Sequence, residues 1–74
     1  MAKVERIDIP HSDAIAAVFY LPERRGLEVM FQSASVYLYR GVPPDVAYGF
    51  SHTDSAGRYF HEHILNCYPF RRLK

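Results

Sequence analysis

The sequence predicts an α+β domain: a three-stranded antiparallel meander followed by two helices packed on one face, in the order β-β-β-α-α. Three observations carry that prediction. Apolar runs of strand length at residues 14–21, 27–32 and 36–40 are separated by short clusters of turn-forming residues. Paired prolines, Pro43 and Pro44, end the last run, because proline cannot donate to a ladder yet suits the first turn of a helix. Beyond Asp54, apolar residues return at helical rather than alternating spacing.

Taken in order, residues 1–11 mix charges with Ile7, Ile9 and Pro10 and read as an extended N-terminal arm, leaving 12–74 as the folded domain. The run Ala14-Ile-Ala-Ala-Val-Phe-Tyr-Leu21 is the first strand, broken at Pro22-Glu23-Arg24-Arg25-Gly26, where Pro fixes φ and Gly permits a positive one. In the second strand Leu27, Val29 and Phe31 share one face, and Glu28, Met30 and Gln32 the other. In the third, Tyr37 and Tyr39 oppose Val36, Leu38 and Arg40. The turn between these two strands, Ser33-Ala34-Ser35, lacks the glycine that tight hairpin turns prefer.

A first helix is expected over 44–51, with Val46 and Phe50 one turn apart on its buried side. Asp54 or Ser55 caps a second helix running to about Asn66, on which Ala56, Tyr59, Phe60, His63, Ile64 and Cys67 form one apolar-rich face. Pro69 ends it, and Tyr68, Phe70 and Leu73 are expected to fold back as an apolar lid.

A chain of 74 residues builds one core, and 49% hydrophobic with 15% aromatic residues marks it as folded. The formal charge of +1 demands no anionic partner, although residues 55–74 carry four basic side chains against Glu62 alone. The single cysteine, Cys67, allows no internal disulfide, and no apolar run approaches the roughly 18 residues of a membrane span. The expectation is a cytoplasmic protein with no membrane association.

The pattern Tyr37-x-Tyr39, Gly41-Val42-Pro43, Asp54-Ser55-x-Gly57-Arg58-Tyr59-Phe60 and Tyr68-Pro69-Phe70 resembles the KTSC domain, over roughly residues 12–73. That family takes its name from a segment at the C-terminus of some lysyl-tRNA synthetases and also occurs as small stand-alone bacterial and phage proteins. The resemblance implies a domain of unknown function, with RNA binding suggested by its company with a tRNA synthetase. The chain departs from the family pattern at four positions: Ala34 stands where Gly is common, Met30 and Leu38 where polar residues are common, and Phe19 where a small residue is common. If Tyr20, Val29, Tyr37 and Tyr39 face the helices, then Phe19, Met30 and Leu38 emerge together on the opposite face, as an interface does.

Two functions compete. A basic surface of Arg40, Arg58, Arg71, Arg72 and Lys74 near the start of the second helix would bind RNA, with tRNA the candidate, through its phosphates. Alternatively, the Phe19/Met30/Leu38 face would serve self-assembly or docking of another protein. Tyr37 and Tyr39 are read as core rather than as a base-stacking surface. Gly57 is read as packing against the sheet, and Arg58 as pairing with Glu62 one turn on.

His52, His61, His63 and Cys67 lack the paired spacing of a zinc site, and His63 and Cys67 are read as helix packing. With Cys67 expected to be buried, and without a glycine-rich phosphate loop, no enzyme, metal or cofactor is expected.

Overall fold

The computed structural model describes residues 3–74, so the first two residues of the 1–11 arm lie outside the described residues. Five strands, β1 (Glu5–Ile7), β2 (Ile15–Leu21), β3 (Gly26–Phe31), β4 (Val36–Tyr39) and β5 (Phe70–Arg72), form one antiparallel sheet in the order β1-β2-β3-β4-β5. The connection from β4 to β5 carries α1 (Pro44–Tyr48), a single 3-10 turn (Gly49–Ser51) and α2 (Ala56–His63).

The expectation of three strands is therefore corrected to five. The central meander and the two helical segments fall where the apolar pattern puts them, but β1 and β5 are three-residue edge strands. Glu5-Arg6-Ile7 and Phe70-Arg71-Arg72 have too few residues, and too many charges, for alternation to show. They form because β2 and β4 offer unpaired backbone edges to template them.

Alternation divides the sheet cleanly. Val18 and Tyr20 of β2, Leu27 and Val29 of β3, and Tyr39 of β4 point into the core and are at most 3% exposed. Ile15 joins them although its spacing from Val18 is odd, because the β2–β3 register shifts between Ile15 and Ala17. The helical layer covers this face with Ala47, Phe50, Ala56, Phe60 and Ile64, all buried. The Phe60 ring stands edge-on to Phe31 at 5.4 Å and to Tyr39 at 5.6 Å, a preferred aromatic geometry.

Tyrosine hydroxyls tie the layers together. Tyr20 donates to the Val42 carbonyl at 2.6 Å, where the chain leaves β4, and Tyr59 of α2 donates to the Val46 carbonyl of α1, also at 2.6 Å. Tyr48 donates to the Glu5 carboxylate, which holds that carboxyl below its ordinary range and pushes the Tyr48 phenol up. Ser55 caps α2 by accepting from the Arg58 N–H at 3.2 Å.

Four local expectations are corrected. The helix α2 ends at His63, short of Asn66, because Asn66 takes a left-handed φ of 65° that no α-helix continues. Cys67 is thereby out of helical phase and exposed, and His63 lies exposed at the rim with its ring 4.5 Å from that of Tyr59. In the β2–β3 turn the positive φ, 52°, falls on Arg25, while Gly26 is a buried strand residue. Tyr68 is half-buried, but Phe70 and Leu73 are 57% and 45% exposed, because this segment is an edge strand rather than a lid.

Two backbone positions have measurable consequences. In the β3–β4 hairpin the Ala34 N–H donates to the Phe31 carbonyl and the Phe31 N–H to the Ser35 carbonyl, both at 2.9 Å, which places Ala34 at φ 74°. A side chain there costs about 1 kcal/mol that glycine avoids, so Ala34→Gly should stabilise the domain by about 0.5–1 kcal/mol and raise its melting temperature by a few degrees. Conversely, a Cβ at Gly49 would overlap the Tyr59 hydroxyl. Gly49→Ala should displace Tyr59 from the Val46 carbonyl and destabilise by about 1–3 kcal/mol in the same thermal unfolding measurement.

Candidate functional site

Strand register lays two rows of side chains across the face of the sheet that the helices leave open. The first runs Arg6, Phe19, Glu28, Leu38, Arg71, each directly opposite the next on neighbouring strands β1 to β5. The second runs Ala17, Met30, Val36 over β2 to β4. It is continued on the β5 side by Leu73, whose N–H donates to the Val36 carbonyl at 2.8 Å. Phe19, Met30, Val36 and Leu38 are all half-buried by their neighbours in the sheet alone.

Along β4 this face deepens into a groove of about 440 Å³. Its floor is apolar, formed by Leu21, Leu38 and Leu73 around Gly26, and its rim is charged, with Arg24, Arg40 and Arg71 beside Glu28. Gly26 leaves room for Leu38: a Cβ there would lie 3.1 Å from Leu38 Cδ1, a tight contact that the leucine would relieve by shifting a few tenths of an ångström. The ion pairs among the described residues are Lys3–Glu5, His11–Asp13 and Arg58–Asp54, none of which engages Glu28 or the groove arginines. The half-buried Glu28 carboxylate thus faces the open side without a charge partner among the described residues.

The five basic residues singled out in the sequence do not form one surface. Arg40 and Arg71 line the groove. Arg58 stands at the start of α2 and pairs with Asp54 Oδ1 at 2.8 Å, not with Glu62. Arg72 projects from the other face of β5, its guanidinium 5.8 Å from the Tyr37 ring centroid, and donates to Ser35 Oγ at 3.4 Å. Lys74 is exposed, and its carbonyl accepts from the Val36 N–H at 2.9 Å. A Cβ at Gly57 would meet nothing within 4 Å, so that glycine neither packs on the sheet nor marks a close approach.

By contrast, Phe19, Met30 and Leu38 do share one face, and it is the face without helices. Tyr39 is 3% exposed beneath Phe60, and Tyr37 is half-buried between Phe31 and Phe70 at ring distances of 5.7 and 5.6 Å. These tyrosines are packing residues. Among the described residues no three His, Cys, Asp or Glu side chains come together as a metal site.

Sequence reasoning missed Glu28, Arg24 and Leu73 as members of this face. Glu28 was within reach, since alternation already sets it on the Met30 side of β3. Arg24 and Leu73 were not, because their placement depends on the turn conformation and on the pairing of β5.

Comparison with known proteins follows the same outline. A family model described as the KTSC domain matches residues 11–68. An uncharacterized protein of Stutzerimonas stutzeri (strain A1501) is 39% identical over 51 residues, covering 69% of this chain and 72% of that protein. The crystal structure of a KTSC domain protein from Yersinia pestis superposes with a TM-score of 0.87 at 29% identity, covering 97% of this chain and all of the other.

The exposure of Cys67 has a direct chemical readout. In the folded protein its thiol should react fully with a disulfide reagent such as Ellman's, at a rate within about tenfold of that in denaturant. A thiol released only on unfolding would contradict this placement.

Proposed function

This chain belongs to the KTSC domain family, and from that premise we propose that it is a small non-enzymatic binding module whose open sheet face docks a protein partner. The observation that carries the reading is the face itself: Phe19, Met30, Val36 and Leu38 side by side on three neighbouring strands, with a groove along β4 and no helix above it. Burying such a surface contributes about 25 cal/mol for each Å² removed from water, and the arginines at its edge supply direction. Phe19, Met30 and the groove arginines are of the residue types enriched at protein interfaces.

The RNA reading asks for free cations gathered at the start of α2. Arg58 is paired with Asp54 there, while Arg40 and Arg71 lie on the open face of the sheet and Arg72 on the opposite one. Arg40 and Arg71 line the same groove as Glu28, whose carboxylate opposes a phosphate there. The tyrosines that a stacking surface would use are committed to the core.

Affinity isolation from cell extract, with and without nuclease, separates the two. A bound protein should survive nuclease, be lost with Leu38→Arg by tenfold or more, and be retained within about twofold by Arg58→Ala. Recovery of RNA that Arg58→Ala or Arg72→Ala abolishes, and that falls steeply with salt, would overturn the proposal.

A further inference from the structure

We infer that the partner on this face is a second copy of the chain, docked about a twofold axis that runs along β4 through Leu38. The inference rests on the docking role proposed above and adds the identity and geometry of the occupant. Its basis is the charge order across the sheet. On one side of Leu38 the neighbouring strand presents Glu28, and on the other side it presents Arg71, at equal strand spacings of about 4.8 Å. A pattern that is negative on one side of an apolar centre and positive on the other is complementary to itself under twofold rotation.

Stacking two such faces with the axis along β4 sets Leu38 against Leu38 of the second copy. It also brings each Glu28 opposite the other copy's Arg71, giving two identical ion pairs. The second row obeys the same operation: Val36 meets its own copy, and Met30 meets Leu73 on both sides. Glu28, which has no charge partner among the described residues of its own chain, gains one. Aligned sheet packing of this kind tolerates the natural twist of each sheet.

Two features limit the contact. Only β3, β4 and β5 overlap, so Phe19 lies two strands from the axis and outside the interface. Arg40 stands on the axis at the exposed end of the groove, where like charges approach each other. A three-strand patch is at the small end of specific interfaces, so association is weak and belongs to concentrations of roughly 0.1–1 mM.

Sedimentation equilibrium and light scattering up to about 1 mM test the idea. The wild-type chain should dimerise. Glu28→Arg and Arg71→Glu should each weaken the dimer at least tenfold, the double exchange should restore it to within about threefold, and Arg40→Ala should tighten it. Cysteine cross-linking gives a readout that does not depend on charge. Stacked sheets lie about 10 Å apart, beyond direct disulfide reach, so in a Cys67→Ser background a short bis-maleimide spanning about 8–10 Å should join Leu38→Cys into a covalent dimer, and should not join Phe19→Cys.

A wild-type chain that stays monomeric at about 1 mM overturns the inference, as does a dimer indifferent to the single exchanges or not restored by the double one. A monomer that still retains a protein partner through Leu38 overturns the second copy while leaving the docking role in place.

Discussion

Phe60 enters the sheet between Phe31 and Tyr39, edge-on to both at 5.4 and 5.6 Å, and this contact decides which of two faces becomes the core. Each strand alternates, so each offers two candidate faces, and both hold large apolar side chains. A chain of 74 residues has helical material for one of them. Once Phe60, Phe50 and Ile64 are seated on the Tyr20, Leu27, Val29 and Tyr39 side, the other side stays open.

Placement of the helical layer explains the rest of the tyrosine chemistry. Tyr20 and Tyr59 each donate to a backbone carbonyl, of Val42 and Val46, at the points where the chain crosses from sheet to helix and along α1. Buried phenols need such partners, and burial pushes the pKa of Tyr20 and Tyr59 up by disfavouring the phenolate. Gly49 leaves room for Tyr59, and Gly26 leaves room for Leu38 on the opposite face. The one side chain forced into a glycine-like conformation at the β3–β4 turn is Ala34.

The docking role proposed above falls on the face the core does not use. Its membership follows from pleat geometry: Phe19, Glu28, Leu38 and Arg71 stand in line because their strands are in register, although they are far apart in the chain. The same geometry disperses the basic residues, because Arg71 and Arg72 are adjacent in sequence and so project to opposite faces of β5. A basic tail in one dimension becomes two unrelated cations in three. What remains near Leu38 is a mixed rim of three arginines and one carboxylate around an apolar floor, which suits a protein surface better than a polyanion.

The sequence by itself determined the three central strands, the two helical segments, a cap for the second at Asp54 or Ser55, and the sharing of one face by Phe19, Met30 and Leu38. These depend on local periodicity and on single-residue stereochemistry, which act within a few positions. It did not determine the two edge strands, the early stop of α2 at Asn66, the exposure of Cys67, or the neighbours of Arg58 and Arg71. Three-residue strands carry too little pattern to be read alone and exist only on a template. Ion pairing between exposed side chains is worth so little that local geometry decides it: Arg58 found Asp54 rather than Glu62. Only the tertiary structure decided which face was covered, because alternation is symmetric between the two and the seat of Phe60 is not.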